Sequence, residues 1–140
     1  MINIVACASD NYAMQCGVMM CSVCENNRYA PIDFYIFVDN LFSDEHKKDL
    51  ENLISKYSDK HIFFVSITEE QTQRFIHFQT YLYTRHVFYR LLIAELLPKD
   101  IDKALYLDCD IIVRHSIEPL WDINIDNAIV GVVHDAQEAI

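Results

Sequence analysis

The sequence predicts an α/β fold with a mostly parallel sheet and helices on both of its faces. β-rich apolar runs alternate along the chain with segments whose apolar residues recur at helical spacing, a pattern typical of parallel strands joined by helices. Several of these runs are apolar almost without interruption, as expected of strands that are covered on both sides. With 140 residues, 52% of them hydrophobic, the chain suffices for one folded domain.

The first part of the chain predicts a strand, a helix and a second strand. Residues 2–8 (INIVACA) form the first apolar run, and Ser9-Asp10-Asn11 supplies turn and capping chemistry. Residues 12–27 predict a helix. Pro31 interrupts the chain before a second β-rich run, IDFYIFV, at residues 32–38.

A second helix is predicted to begin after Ser43. Ser43 is a suitable N-cap, and Asp44 and Glu45 in the first turn favour the positive end of the helix dipole. Its apolar stripe consists of Leu50, Leu53, Ile54 and Tyr57.

The rest of the chain predicts three more strands and two helices. The strands are residues 61–67, 105–108 and 128–133, and residues 68–76 predict a short helix. A longer helix precedes Leu97-Pro98, where the proline ends it. The apolar stripe of this longer helix consists of Val87, Phe88, Leu91, Leu92 and Leu96.

The net charge of −10 narrows the classes of partner. Nucleic-acid-binding proteins show a basic face, and the Lys and Arg residues here are scattered, so we do not expect a nucleic-acid partner. An anionic substrate would need a divalent cation to bridge it to so acidic a protein. The chain has only two glycines and therefore no glycine-rich phosphate loop.

The cysteines and the apolar runs indicate the compartment. No apolar run approaches the roughly 20 residues of a membrane span, and the N-terminus lacks the pattern of a signal peptide. An odd number of cysteines fits reduced thiols, so the protein is expected to be soluble and cytoplasmic. Cys21 and Cys24 form a CxxC pair, which we interpret as buried helix residues rather than a redox or zinc site. The five cysteines are Cys7, Cys16, Cys21, Cys24 and Cys109.

Two polar clusters are expected at the same edge of the sheet. Parallel α/β sheets bind ligands outside the carboxyl ends of their strands. The first predicted strand ends at Ser9-Asp10-Asn11, and the fourth ends at Asp108. Both clusters therefore lie where a ligand is expected.

Asp108 and Asp110 are the candidate metal ligands. In an extended chain they point to one face and Cys109 to the other, and the flanking apolar residues predict dry surroundings. Neighbouring carboxylates repel there, which Mg²⁺ or Mn²⁺ would relieve. The alternative is a pair that hydrogen-bonds nearby amides. A second Asp-x-Asp triplet, at residues 100–102, is interpreted as a solvated loop.

Three segments resemble glycosyltransferase family 8, which includes lipopolysaccharide galactosyl- and glucosyltransferases and glycogenin. YLDCDIIV (residues 106–113), followed by Pro119-Leu120-Trp121, resembles the metal-binding segment of that family. IVACASDNYA (residues 4–13) resembles its first strand and nucleotide-binding turn. HVFYRLLIAELLP (residues 86–98) resembles its arginine-bearing helix, with Arg90 as the arginine. The order and spacing of the segments span essentially the whole chain.

The resemblance implies a Rossmann-like GT-A fold and transfer of a hexose, with retention of configuration, from a UDP-sugar to an acceptor hydroxyl of a glycan or lipid-linked sugar. It implies that Asp108 and Asp110, with Cys109 between them, hold Mn²⁺ or Mg²⁺ against the diphosphate. Arg90 would approach the diphosphate or the donor sugar; the alternative is a surface arginine that pairs with a carboxylate. Tyr12 could stack on the uracil; the alternative is an ordinary core tyrosine at the start of the helix. The turn implied to receive uracil and ribose contains Cys7, Ala8, Ser9, Asn11 and Tyr12.

The chain also departs from the family pattern. Members often carry an acid where Ser9 stands. Full-length members are longer, so residues 1–140 are expected to be a truncated nucleotide-sugar-binding domain. The third metal ligand, usually a histidine, and the acceptor site would lie in the C-terminal region that follows in full-length members. Any contribution to peripheral membrane association would come from the same region. His134-Asp135 is expected to border the pocket, without a ligand role, and no catalytic residue is assignable.

Two other functions stay open from the residues. Asp-x-Asp after a strand also opens haloacid-dehalogenase-type phosphohydrolases, in which the first aspartate is a nucleophile. Those enzymes usually continue with a Gly-Thr turn, whereas Ile111-Ile112-Val113 follows here. The other alternative is a non-catalytic module that binds nucleotide, or only packs against a partner.

Overall fold

The sheet holds four parallel strands. The computed structural model describes residues 1–73, 75 and 85–133. Within them the strands stand in the order β3-β2-β1-β4. The strands are β1 (Ile2–Cys7), β2 (Ile32–Val38), β3 (Lys60–Ser66) and β4 (Leu105–Tyr106).

The pairing between strands is continuous at the centre of the sheet and short at β4. β1 pairs with β2 along its whole length, from Ile2 opposite Ile32 to Cys7 opposite Phe37. β4 pairs with β1 at only two positions. One further backbone hydrogen bond, from Leu107 N to Val5 O (2.9 Å), continues that contact before the chain leaves the sheet.

The helices connect these strands, as the periodicity predicts. Ser43 is the N-cap of α2, where its side chain accepts a hydrogen bond from His46 N (3.3 Å), which confirms the predicted start. The helices are α1 (Ala13–Asn26), α2 (Asp44–Ile54), α3 (Glu69–Gln73), α4 (Ile93–Leu96) and α5 (Glu118–Trp121), with 3-10 segments at Asp10–Tyr12 and Arg85–Leu92.

Alternate residues of the strands build a core on each face of the sheet. One face packs against α1 and α2, and the other against the 3-10 helix Arg85–Leu92. Helices α1 and α2 lie close together on the first face. A Cβ atom added to Gly17 of α1 would stand only 3.2 Å from Leu50 Cδ2 of α2. The second face is built by Val5, Tyr35, Phe37, Ile67, Tyr89 and Leu92.

The segment near residues 86–98 is helical and ends before Pro98 as predicted, but most of it is not α-helix. The segment is a 3-10 helix, Arg85–Leu92, followed by the single turn of α4. Among its residues 87–92, for which burial is described, Tyr89 and Leu92 are buried, three positions apart as on one face of a 3-10 helix, whereas Leu91 of the predicted stripe is 64% exposed. An apolar stripe does not by itself distinguish a period of 3.0 from one of 3.6.

The predicted fifth strand is wrong. Residues 128–133 lie outside any strand of the described chain, and Ile129, Val130, Val132 and Val133 are highly exposed. β-branched residues form a strand only when a neighbouring strand and a buried face receive them. Among the described residues, none of the helices combines the length and the hydrophobicity of a transmembrane span.

Candidate functional site

The strand order places the switch point of the sheet between β1 and β4. The chain runs outward from β1 through β2 to β3 and then returns to the opposite side of β1. Ligands of parallel α/β sheets bind at such a point, outside the carboxyl ends of the strands. We call the space between the turn after β1 and the segment after β4 the crevice. Both predicted polar clusters border this crevice, as the sequence indicates.

The turn after β1 is fixed by Asp10. Its Oδ1 accepts a hydrogen bond from Ser43 N (2.8 Å) and lies 2.8 Å from His46 Nδ1. These interactions, the one with the Ser43 amide above all, lower the pKa of the Asp10 carboxyl. Asn11 and Tyr12 follow as exposed side chains. The turn is thus anchored to α2 while two of the predicted nucleotide-binding side chains face solvent.

The other predicted residues of this turn lie at its base. Ala8 is buried, and its amide donates to Phe37 O (3.0 Å), which extends the contact between β1 and β2. Ser9 is half-buried, and its carbonyl accepts from Tyr12 N (2.8 Å) in the 3-10 turn. The backbone of this turn is therefore ordered by its own hydrogen bonds.

The Asp108–Asp110 segment alternates in burial but is not dry. Cys109 is buried, while Asp108 and Asp110 are both exposed. The chain turns at Cys109 and Asp110 instead of staying extended, so the strand alternation that predicted one face for the two carboxylates does not apply there. The expectation of dry surroundings for the two carboxylates is wrong. The reason is that β4 ends at Tyr106, so the aspartates lie beyond the sheet instead of inside it.

Arg90 and Asp108 meet across the crevice. Arg90 Nη2 lies 3.0 Å from Asp108 Oδ1, and Arg90 Nε donates to Val87 O (2.9 Å). The Tyr106 hydroxyl donates to the same Asp108 oxygen at 2.8 Å, and the Arg90 guanidinium stands over the Tyr106 ring, 4.7 Å from its centroid. Burial, above all, raises the pKa of Tyr106. A cation, a phenol and a carboxylate thus form one network.

Thiols lie beneath this network. Cys109 Sγ donates to the backbone oxygen of Cys7 (3.3 Å), which ties the aspartate segment to the end of β1. Burial, with the nearby Cys109 thiol, raises the pKa of Cys7 to about 12. A hydrogen bond with Cys109, together with burial, raises the pKa of Cys16 on α1. Such thiols stay protonated near neutral pH and serve as small packing groups.

The chain after Asp110 is held by polar side chains of α1 and its C-cap. Ser22 Oγ accepts from Val113 N (2.9 Å), and Asn26 Nδ2 donates to Val113 O (2.9 Å). The buried Asn27 Oδ1 accepts from Ile117 N (2.8 Å). These bonds satisfy backbone groups that a strand ladder would otherwise satisfy.

The 3-10 helix that carries Arg90 is anchored by the neighbouring residue. The Tyr89 hydroxyl donates to Asp39 Oδ2 (3.2 Å), and Asp39 Oδ1 accepts from Leu41 N (3.0 Å). Tyr89 and Asp39 are both buried. A polar contact to the end of β2 therefore helps to fix the position from which Arg90 reaches Asp108.

The donor set suits a hard divalent cation. Asp108 and Asp110 offer carboxylate oxygens at the mouth of the crevice, and Mg²⁺ is commonly bound through one or two carboxylates together with substrate phosphates and water. Residues 1–73, 75 and 85–133 contain no group of three or more His, Cys, Asp or Glu side chains suited to a metal. The two aspartates fit such a cation only with ligands from outside the described residues.

Sequence reasoning missed Tyr106, Asp39 and the role of Asp10. Tyr106 could have been found from its i, i+2 relation to Asp108 on a strand, which puts both on one face. Asp39 directly follows the second strand, at the carboxyl end where parallel sheets bind their ligands. His134-Asp135 lies outside the described residues. The Asp100–Asp102 triplet is an irregular segment with both carboxylates exposed, as predicted.

Comparisons with known proteins identify the family and the fold. The family model described as "Glycosyl transferase family 8" matches residues 3–140. General stress protein A of Bacillus subtilis is 30% identical over 138 residues, which cover 96% of this chain and 46% of that protein. The lipopolysaccharide 1,2-glucosyltransferase of Escherichia coli is 27% identical, with 97% of this chain and 39% of that protein covered.

A solved structure shows the same fold. The crystal structure of the galactosyltransferase LgtC in complex with donor and acceptor sugar analogs matches with a TM-score of 0.75 and 27% identity, over 89% of this chain and 43% of that chain. The GT-A fold expected from the sequence is thereby confirmed. The chain spans less than half the length of these relatives.

Proposed function

The chain belongs to glycosyl transferase family 8, and on that premise we propose that it is the nucleotide-sugar-binding part of a metal-dependent retaining hexosyltransferase. The donor is a UDP-sugar, and the acceptor is a hydroxyl of a glycan or lipid-linked sugar. The cation is Mn²⁺ or Mg²⁺. The proposal draws support from a lipopolysaccharide glucosyltransferase among the relatives and a galactosyltransferase among the structures of the same fold.

The observation that carries the proposal is the Arg90–Asp108 pair at the switch point. A nucleoside diphosphate needs positive charge near its phosphates, and this acidic chain has a net charge of −10. Arg90 offers a fixed cation 3.0 Å from Asp108 Oδ1, and Asp110 follows in the same exposed segment. One guanidinium and two carboxylates in one crevice suit a metal–diphosphate better than a metal-free anion.

The residues around the crevice divide the work of binding. The turn with Cys7, Ala8, Ser9 and Asn11 would receive uracil and ribose, where the exposed ring of Tyr12 is free to stack on the base. Arg90 would hold the diphosphate, and Asp108 and Asp110 would hold the metal beside it, with the Cys109 side chain turned inward. The bound metal would supply Lewis-acid neutralisation of the departing diphosphate.

The contribution of Arg90 to the reaction depends on where negative charge develops as the bond breaks. Cleavage of the sugar–phosphate bond places negative charge on the leaving UDP, and Arg90 is positioned to stabilise that charge. Retention of configuration is carried over from the family. Attack on the same face as the leaving group is the route that we propose for this retention.

Calorimetric titration with UDP and Mn²⁺ tests the proposal. Asp108→Ala should abolish the metal-dependent part of UDP binding, because it removes a charged ligand from the metal. Asp102→Ala, an exposed aspartate in the Asp100–Asp102 triplet, is the matched control and should bind as the wild type does. Unchanged affinity of Asp108→Ala for UDP and Mn²⁺ would defeat the assignment.

The other functions considered from the sequence make different predictions. A module that binds nucleotide without turnover should show the same titration and no hydrolysis of a UDP-sugar, whereas measurable hydrolysis would argue for the transferase. The haloacid-dehalogenase alternative loses its support because the chain belongs to another family.

A further inference from the structure

Tyr106 contacts both charged groups of the crevice with different parts of one side chain. Its hydroxyl lies 2.8 Å from Asp108 Oδ1, and its ring lies under the Arg90 guanidinium, 4.7 Å from centroid to Cζ. Arg90 itself lies 3.0 Å from the same carboxylate oxygen. One side chain therefore contacts both partners of the ion pair.

The fold dictates this placement. Tyr106 is the last residue of β4, and Asp108 follows two positions later on the same face. That face packs against the 3-10 helix Arg85–Leu92, in the hydrophobic cluster that includes Tyr89 and Leu92. The Tyr106 ring is consequently fixed by packing on one side while its hydroxyl reaches the crevice.

Asp108 needs such support because it stands outside the sheet. Its side chain is 51% exposed, so packing alone does not restrict its rotamer. The Tyr106 hydroxyl donates to Oδ1, and this bond does not depend on Arg90, which would turn to the diphosphate. A carboxylate held at one oxygen presents the other oxygen in a defined direction, which is what a metal ligand requires.

We propose that Tyr106 is a positioning residue for the metal–diphosphate site, with its hydroxyl orienting Asp108 and its ring orienting Arg90. The inference rests on the proposed function, in which Asp108 binds the cation and Arg90 the diphosphate. It assigns a role to a residue that is not itself proposed to bind the cation or the diphosphate. Removing the hydroxyl should act on metal binding, and removing the ring should act on both metal and nucleotide binding.

The test uses the full chain and two variants of Tyr106. Tyr106→Phe keeps the ring in its packing environment and removes only the hydroxyl. Tyr57→Phe is the matched control, because the Tyr57 hydroxyl also donates to a carboxylate, Glu25 Oε1 at 2.9 Å, away from the crevice. Tyr106→Leu removes ring and hydroxyl together. Electron paramagnetic resonance of free Mn²⁺ measures metal binding in the presence of UDP, and calorimetry measures UDP binding with and without the metal.

Tyr106→Phe should weaken Mn²⁺ binding by about tenfold, as expected for loss of a residue that orients a metal ligand. Its metal-free UDP affinity should stay within about twofold of wild type, because the Arg90–ring contact is preserved. Tyr106→Leu should weaken both. Melting temperatures of the two Phe variants should agree with each other, which separates positioning from a general loss of structure.

Two outcomes would overturn the inference in distinguishable ways. If Asp108→Ala loses metal-dependent UDP binding and Tyr106→Phe binds Mn²⁺ as tightly as Tyr57→Phe, the positioning role is refuted and the proposed function stands. If Asp108→Ala itself binds UDP and Mn²⁺ normally, the metal site is misassigned and the inference fails with it.

Discussion

Arg90 Nη2 and Asp108 Oδ1 lie 3.0 Å apart, so the arginine guanidinium contacts the carboxylate that is proposed to bind a metal. The two side chains are 38% and 51% exposed, so water screens the pair and its own contribution to stability is small. In the proposed function each partner of the pair has a second ligand. A metal and a diphosphate that enter together would let Asp108 and Arg90 exchange partners without leaving either charge unpaired.

Arg90→Gln should therefore change the binding of metal and of nucleotide in opposite directions. Without the competing cation, Mn²⁺ alone should bind about two- to fivefold more tightly, as the strength of an exposed ion pair suggests. UDP in the presence of Mn²⁺ should bind about tenfold more weakly, because a charge-assisted hydrogen bond is lost. Calorimetry with each ligand measures both effects.

Arg90→Lys is the control for that experiment. Lysine keeps the charge but loses the planar fork and its stacking on Tyr106, so it should lie between the wild type and Arg90→Gln. Equal affinities of all three proteins for Mn²⁺ and for UDP would contradict a role for this arginine.

Asp39→Ala should destabilise the fold by about 1–3 kcal/mol, because Leu41 N and the Tyr89 hydroxyl would lose a buried acceptor. Urea unfolding measures the change. Asp100→Ala, in an exposed irregular segment, is the control and should shift the unfolding free energy by less than about 0.5 kcal/mol. A loss for Asp39→Ala no larger than the control's would show that the anchor beside Arg90 is dispensable.

The neighbouring residues Asn26 and Asn27 should differ in their effect on stability. Asn27→Ala removes a buried acceptor of Ile117 N and a donor to Val23 O, at an expected cost of about 1–3 kcal/mol. Asn26 makes exposed hydrogen bonds, so water replaces them in Asn26→Ala. Chemical denaturation of both variants gives the comparison. Equal losses would mean that the segment after Asp110 is not held by the buried amide.

Asp10 should make stability depend on acid pH. Its native pKa lies below the ordinary value of 3.8, so the ionised carboxyl stabilises the folded state fully above pH 3.8. That contribution is lost as the pH falls below 3.8 and through the native pKa. The difference in unfolding free energy between wild type and Asp10→Asn should thus be constant near neutrality and shrink below pH 3.8.

The control for Asp10 is Asp102→Asn, on an exposed irregular segment. It should show no corresponding change of the difference with pH. A difference for Asp10→Asn that stays flat down to the acid unfolding transition would mean that the contacts with Ser43 and His46 do not favour the charged form.

Most of the correct predictions rest on patterns among residues that are close together in the sequence. The order of strands and helices follows from periodicity, and the start of α2 follows from Ser43 with the acids behind it. The position of Asp108 at the mouth of the crevice follows from its place at the end of a strand. Each of these depends on residues close together in the chain.

The features that sequence reasoning missed depend on contacts between distant residues. The exposure of Asp108 and Asp110 results from the early end of β4, which pairs with β1 at only two positions. Residues 128–133 have strand-like composition but no partner strand among the described residues. The 3-10 geometry near Arg90 reflects the fit of Tyr89 and Leu92 against the second face of the sheet. Neither composition nor periodicity encodes such a fit.

The contacts between β1 and the chain that follows β4 limit how far this edge of the sheet can be reshaped. Leu107 N donates to Val5 O, and Cys109 Sγ donates to Cys7 O, so two backbone oxygens of β1 hold the segment that carries Asp108 and Asp110. Neighbouring strands stand about 4.8 Å apart whatever side chains they carry. If the proposed donor binds at this edge, selection for another sugar should therefore act on the loops and leave the two strands unchanged.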